Sequence, residues 1–138
     1  MAPELINSSY KLRPSALDVF ALGVILFIIR TGVSPFHYAS NDDDNYRLWI
    51  SNERKKFWRE IEDGLDYKLE EEFKTLIEDI FEPDPKKRIS LKKIKESTWL
   101  KGLKREGRVL LEKELKIRKK KVEKVINGKK ARTGLKIK

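Results

Sequence analysis

The chain has 138 residues, of which 39% are charged and 39% are hydrophobic, and its formal net charge is +10. This length and composition predict one soluble domain with an appendage. Because the sequence holds no cysteine and a single histidine, His37, a disulfide framework, a cysteine-based zinc site and a histidine-rich metal site are all excluded.

The positive charge is confined to the last part of the chain. Residues 1–100 hold 16 Lys and Arg against 18 Asp and Glu, a net charge of −2, whereas residues 101–138 hold 16 against 4, a net charge of +12. Such a change of composition predicts a domain boundary near residue 100.

The first residues, MAPE, carry neither the basic start nor the apolar stretch of a signal peptide. The longest uncharged apolar run covers residues 19–29, which is shorter than the ~20 residues that a membrane span needs. We therefore expect an intracellular, cytoplasmic protein, with the nucleus as an alternative, and no membrane partner.

Two helices are predicted near the start. Pro3 suits the first turn of a short helix over residues 3–9. Ser15 is the predicted N-cap of a second helix over residues 16–31, which ends before Gly32. The second helix is apolar around its whole circumference, which predicts burial on every side.

An acidic loop follows, with Asp42, Asp43 and Asp44 in a row. The run lacks the glycine and the distal glutamate of a calcium-binding EF-hand loop. We therefore predict a solvated loop, with capping of the next helix as a further role.

The middle of the chain is predicted to be helical. Residues 46–61 have a helical pattern that Asn52 interrupts, which predicts two short helices. Residues 71–81 form an amphipathic helix by their apolar spacing. The predicted core positions of both segments are Trp49, Phe57, Trp58, Ile61, Phe73, Leu76, Ile77 and Ile80.

The last predicted helices flank the domain boundary. Ser90 is the expected N-cap of a helix whose Leu91, Ile94 and Trp99 face inward. Residues 106–126 form a long amphipathic helix that ends at Gly128, and residues 129–138 are expected to be disordered. Its apolar stripe is Leu111, Leu115, Val122 and Ile126. No strand pattern of period two and no internal repeat is present.

Four motifs follow one another in a fixed order: A-P-E at residues 2–4, DVFALGVILF with Asp18 and Gly23 five residues apart, TGVSPF, and FKTLIEDIFEPDPKKRISLKKIKESTWL. This succession resembles the lower half of the large lobe of eukaryotic protein kinases. The resemblance is to the Ser/Thr type, especially the calcium/calmodulin-dependent-kinase-like members, and covers about residues 1–101.

The resemblance implies an all-α fold, the C-terminal part of the kinase large lobe, followed by a long basic helix. Residues 1–101 would be a partial kinase domain, residues 102–128 a basic amphipathic extension, and residues 129–138 a disordered basic tail. Two positions depart from the family, which usually has Trp and Ser where this chain has Phe20 and Ala21.

By the same resemblance, Glu4 should form a bidentate ion pair with Arg88 of the D-P-K-K-R segment. For Asp18 two interpretations stay open: a carboxylate at the start of a helix, or a buried group that binds the backbone of the catalytic loop. Gly23 should lie where another segment comes close. The complete set of motif residues is Ala2, Pro3, Glu4, Asp18, Gly23, Asp84, Pro85 and Arg88.

Phosphoryl transfer in kinases needs a glycine-rich loop, a strand lysine, the H-R-D aspartate and the D-F-G aspartate. None of these occurs in this sequence, and His37 lies in F-H-Y. We therefore expect no catalytic, cofactor-binding or metal-binding residue in this chain, with ATP and Mg²⁺ belonging to a full-length kinase. The catalytic half is expected upstream, which would make Met1 an internal methionine. Without that half, part of the apolar second helix should face water and leave the chain marginally stable.

The predicted function is that of a fragment of a protein Ser/Thr kinase, inactive by itself. The alternative is a non-catalytic, kinase-derived module that binds protein substrates or a regulatory protein through residues 43–61, with Trp49 and Trp58, and through the basic tail. A calmodulin-like partner at residues 104–128 is one candidate, and a solvated basic helix is the other interpretation. Nucleic acid is not favoured, because residues 101–138 hold no aromatic residue for base stacking.

Overall fold

The computed structural model describes residues 1–6 and 12–133, and every helix or strand in these ranges is an α-helix, as predicted. The helices are α1 (Pro3–Ile6), α2 (Pro14–Thr31), α3 (Asp44–Ile50), α4 (Arg54–Leu65), α5 (Glu71–Ile80), α6 (Leu91–Lys95) and α7 (Thr98–Thr133). The chain forms two compact units, Met1–Trp99 and Leu100–Lys138. The predicted limits of the three domains stay predictions.

Helix α2 begins earlier than predicted. Arg13 occupies the N-cap position in an extended conformation and Pro14 is the first helical residue, so the predicted cap at Ser15 is wrong. The reason is that the fixed φ of proline suits the first helical position, where no N–H is needed. The predicted end is confirmed: Gly32 has φ 76° and donates its N–H to the carbonyl of Ile28.

One face of α2 is buried and the other is open. Phe20, Gly23 and Phe27 are buried, but Ile25 is 54% exposed and Ile29 is 75% exposed. Burial on every side was therefore a wrong prediction, whereas the expectation that part of the helix faces water is confirmed. By length and composition α2 could cross a membrane, but its buried aromatic face makes it the core helix of residues 1–99.

The core of residues 1–99 is a cluster of aromatic rings around Phe27. Its ring centroid lies 6.0–6.4 Å from the centroids of Phe57, Trp58, Phe73 and Phe81. Trp49 is completely buried and donates from Nε1 to the carbonyl of Phe81 at 3.0 Å. Trp49 and Trp58 are therefore core residues, and their predicted role as a contact surface is wrong, because Phe27 of α2 packs on Trp58 and Phe81 packs on Trp49.

The acidic loop and the helices after it follow the prediction in part. Asn52 has φ 59° and separates α3 from α4, as predicted. Asp43 caps α3 by accepting the N–H of Tyr46, and its other oxygen accepts the N–H of His37 at 2.7 Å. The capping role is confirmed, but Asp43 is buried rather than solvated because it holds both segments together.

Helix α5 agrees with the prediction, but the predicted helix that contains both Ile94 and Trp99 is divided: α6 ends at Lys95, and Trp99 lies in α7. The four predicted core residues of α5 are buried. Ser90 caps α6 by accepting the N–H of Lys93, Ile94 is buried, and the ring of Trp99 lies 4.9 Å from that of Phe73. Leu91 was predicted to face inward but is 49% exposed, because it lies at the rim of an open cavity beside the start of α2.

The ends of two predicted helices differ from the structure. Helix α7 runs from Thr98 to Thr133, so the predicted start at residue 106 and the predicted end at Gly128 are both wrong, and residues 129–133 are helical. A glycine inside a helix costs only about 1 kcal/mol, and the surrounding Lys, Arg and Ala residues favour helix. Helix α1 ends at Ile6; residues 7–9 of the predicted first helix and residues 134–138 of the predicted disordered tail lie outside the described residues.

Candidate functional site: the Glu4–Arg88 junction

The predicted ion pair between Glu4 and Arg88 is present. Arg88 Nη1 lies 2.6 Å from Glu4 Oε1, and Arg88 Nη2 lies 3.0 Å from Glu4 Oε2. Both side chains are completely buried. This is the bidentate geometry in which a guanidinium group binds a carboxylate most strongly.

The remaining donors of Arg88 bind backbone carbonyls. Nε donates to the carbonyl of Glu82 at 3.0 Å, and Nη1 also donates to the carbonyl of Ala16 in α2 at 2.9 Å. The guanidinium carbon lies 4.9 Å from the centroid of the Phe20 ring. Because its charge is paired and its donors are used, Arg88 can be buried while it joins α1, α2 and the segment after α5.

A tight turn presents Arg88 to the junction. The carboxylate of Asp84 accepts the N–H of Lys86 at 2.9 Å, and the carbonyl of Asp84 accepts the N–H of Arg88 at 3.1 Å. Pro85 between them is buried. On the opposite side of the junction, Ala2 and Pro3 are buried beside Glu4.

Gly23 lies where α2 and α5 come closest. A Cβ atom at this position would lie 2.9 Å from Phe81 Cε1 and closer still to Ile80 Cγ2. Real Cβ atoms do not approach other atoms this closely, so the close approach expected from the glycine is present. The same contact places α5 directly against the core helix.

Asp18 is exposed, although one of the two interpretations required a buried carboxylate. It borders an open cavity of about 400 Å³ together with Arg13, Leu22 and Lys86. The catalytic loop that would cover it is not in this sequence. Both interpretations of Asp18 therefore stay predictions.

Sequence reasoning missed two polar clusters that fix the segment between α4 and α5. Arg30 Nη2 lies 2.9 Å from Glu70 Oε1. The hydrogen bond between them raises the pKa of Arg30 and lowers the pKa of Glu70. Forty residues separate the partners, and their only sequence signal was a basic residue in the last turn of α2.

The second missed cluster surrounds Glu62, a buried carboxylate in α4. Burial raises its pKa, but hydrogen bonds from Lys74 Nζ, the N–H of Leu69 and Lys68 Nζ outweigh burial and lower the pKa to about 2. The Lys74 Nζ–Glu62 Oε1 distance is 2.7 Å. Nothing in the local sequence distinguishes Glu62 from neighbouring exposed carboxylates.

These arrangements hold helices together rather than present reactive groups. Within the described ranges, no three histidine or carboxylate side chains come together as a candidate metal site. The geometry of residues 1–99 is thus a scaffold: a core helix, an anchored first segment and a turn that joins them.

Residues 1–100 match the protein kinase domain family. This chain belongs to the protein kinase family. The match covers both sides of the Glu4–Arg88 junction and the whole aromatic core. The match places the junction within a kinase domain, and the all-helical structure agrees with a part of the large lobe.

Several curated protein kinases are similar to the chain. The serine/threonine-protein kinase CHK1 of Saccharomyces cerevisiae is 30% identical over 100 residues, 72% of this chain. Calcium-dependent protein kinase 22 of Oryza sativa subsp. japonica is 33% identical over 117 residues, 80% of the chain. Calcium-dependent protein kinase 8 of Arabidopsis thaliana is 31% identical over 124 residues, 86% of the chain. The chain spans only 18–20% of the length of these relatives.

Proposed function

We propose that this chain is the lower part of the large lobe of a protein Ser/Thr kinase, and that it does not transfer phosphate by itself. The full-length kinase would bind ATP and Mg²⁺ and phosphorylate protein hydroxyl groups. The observation that carries the proposal is the buried Glu4–Arg88 pair, which anchors the A-P-E segment to the core helix.

The junction supports this function through its geometry. Both oxygens of Glu4 are held, so the chain that enters α1 is fixed in position and direction. Ala2 and Pro3 are buried with it, which leaves the first segment little freedom to move. In a kinase, such an anchor would fix the end of the activation segment, on which protein substrates dock.

A phosphoryl-transfer assay tests the catalytic part of the proposal. The purified 138-residue chain, incubated with labelled ATP, Mg²⁺ and a basic protein substrate, should incorporate no label above a blank without protein. ATP binding measured by calorimetry should also be absent. Incorporation by the pure chain would overturn the proposal, because it would mean that other residues replace the four missing motifs.

The mass of the native protein tests the proposal that the chain belongs to a longer kinase. An antibody against residues 45–70 should detect a protein much larger than 16.3 kDa in the source cell, and that protein should phosphorylate Ser or Thr. A single band near 16.3 kDa would contradict this and favour the second candidate, a non-catalytic interaction module inside the cell.

The second candidate is favoured by exposed apolar and basic surfaces. Ile25 and Ile29 of α2 face water, and α7 is exposed from residue 103 to residue 128. For residues 104–128 the family resemblance suggests a calmodulin-like partner, since two relatives are named calcium-dependent kinases. Titration of the chain with calmodulin, with Ca²⁺ and with a chelator, tests this; equal signals in both conditions would remove it.

The exposed face of α2 also leads us to propose that the isolated chain is marginally stable and self-associates. Limited proteolysis should cut the chain within residues 15–100 at low protease concentration. A compact resistant fragment that spans residues 15–100 would contradict this.

A further inference from the structure

Helix α7 carries an apolar stripe that its own unit leaves exposed. Successive residues of an α-helix are rotated by about 100°, so residues three, four and seven apart share a face. By this rule five aliphatic side chains lie within about 100° of the helix circumference. All are 46–59% exposed. We call these residues the α7 stripe: Leu111, Leu115, Val122, Val125 and Ile126.

The rest of α7 is mostly basic, although four more exposed aliphatic residues lie outside the stripe: Leu103, Val109, Leu110 and Ile117. Residues 101–128 hold eleven Lys and Arg against four Glu, a net charge of +7. Every side chain from residue 103 to residue 128 is exposed. Within the stripe, Arg118 lies between the aliphatic residues, and its Nε lies 3.0 Å from Glu114 Oε1. This pairing reduces the cost of bringing Arg118 near an apolar phase, and its long stem can bend towards water.

We propose that α7 binds along the surface of an anionic lipid bilayer, with the α7 stripe in the acyl boundary and the lysines among the headgroups. A helix with an aliphatic face and a lysine-rich face is the form that lies in a membrane interface. Such a helix does not span the bilayer. The proposal revises the expectation of no membrane partner.

The net charge of α7 and the size of its apolar side chains favour a bilayer over a second copy of the helix or a protein groove. A second copy of α7 would bring two net charges of +7 together, which disfavours a dimer. The stripe consists of Leu, Val and Ile without a large aromatic anchor. Recognition in a protein groove relies on a few large anchors in pockets, whereas a bilayer accepts dispersed aliphatic area and dispersed positive charge. The inference is independent of the proposed kinase function.

Flotation with lipid vesicles tests the proposal on the full chain. Vesicles of 70% phosphatidylcholine and 30% phosphatidylserine should carry the protein upwards at 100 mM NaCl. Pure phosphatidylcholine vesicles should carry at least tenfold less, and binding should fall at 500 mM NaCl because charge attraction is screened. Equal flotation on both vesicle types would overturn the proposal, because it would point to the exposed face of α2 instead.

Two valine variants distinguish the contribution of the α7 stripe to vesicle binding from that of charge attraction. Val122→Gln removes apolar area from the stripe, and Val109→Gln makes the same change about 140° away on the basic face. The two valines are similarly exposed, 57% and 49%. We expect about tenfold weaker vesicle binding for Val122→Gln and less than a twofold change for Val109→Gln.

Circular dichroism should show the same helix content in both variants, since neither side chain is packed. Equal loss or no loss in the two variants would overturn insertion of the stripe. Failure to bind any anionic vesicle, together with Ca²⁺-dependent binding to calmodulin, would assign α7 to a protein groove instead.

Discussion

Two ion pairs, Arg88–Glu4 in residues 1–99 and Arg118–Glu114 in α7, have similar N···O distances of 2.6 and 3.0 Å. Their surroundings differ. The first pair is completely buried and joins residues 84 positions apart, whereas the side chains of the second are 74% and 53% exposed and lie one turn apart. A contact distance by itself therefore says little about stability; burial and the number of elements joined decide the effect.

The largest difference is expected from the two arginines. Arg88→Ala should lower the free energy of unfolding by about 3–5 kcal/mol, because it leaves Glu4 buried and unpaired. Since the chain is expected to be marginally stable, this variant should be largely unfolded before any urea is added. Arg118→Ala should change it by at most about 0.5 kcal/mol. Urea denaturation followed by tryptophan fluorescence measures both.

A double variant tests why Arg88→Ala is so costly. Glu4→Leu with Arg88→Met leaves no unpaired charge and should be less destabilised than Arg88→Ala alone. If it is destabilised more, the hydrogen bonds to Ala16 and Glu82 matter more than the charge.

The next largest difference in stability between residues 1–99 and α7 is expected when one apolar side chain is truncated in each. Phe27→Ala removes a completely buried ring and should cost about 3–4 kcal/mol. Leu115→Ala in α7 should cost less than about 0.5 kcal/mol, since its side chain already faces water. Similar losses for both variants in urea denaturation would mean that α7 is packed in solution.

Low pH should destabilise residues 1–99, because Glu62 becomes protonated. Its folded-state pKa of about 2 lies below the ordinary value of 4.5, so the stabilisation, about 3 kcal/mol, is complete above pH 4.5 and is lost as the pH falls through about 2. Glu62→Gln should flatten the fall in stability between pH 5 and pH 2. An unchanged curve for Glu62→Gln would show that Glu62 is not paired.

The smallest effect, of opposite sign in the two regions, is expected from glycines. Gly23→Ala should cost about 1–2 kcal/mol, because the added Cβ meets Ile80 and Phe81. Gly107→Ala should instead raise helix stability by about 0.5–1 kcal/mol, since beyond its chain neighbours and the backbone of its own helix turns no atom lies within 4 Å of the added Cβ. Thermal melts followed at 222 nm measure both, and a gain for Gly23→Ala would contradict the close approach of α2 and α5.

Much of residues 1–99 could be predicted because the signals are local or follow from the motif order. The spacing of Phe73, Leu76, Ile77 and Ile80 predicted both a helix and its buried face, and Ser90 and Gly32 marked helix ends. The Glu4–Arg88 pair could be predicted only from the family resemblance, since no rule of spacing selects partners 84 residues apart.

The wrong predictions of burial share a cause, because the burial of each residue depends on which elements lie beside it in space. The tryptophans Trp49 and Trp58 resembled a contact surface until α2, α5 and Phe81 were seen to cover them. Leu91 has the sequence spacing of a buried helix position, but no other element covers its side chain.

The sequence by itself determined helical patterns without a strand pattern, several helix limits, the charge boundary near residue 100 and the absence of the four catalytic motifs, because composition and short-range periodicity carry that information. Tertiary structure alone decided which face of α2 is buried, that Glu62 pairs with Lys68 and Lys74, and that Asp18 stays exposed. The physical reason is that burial and pKa depend on neighbours brought together by folding, which are far apart along the chain.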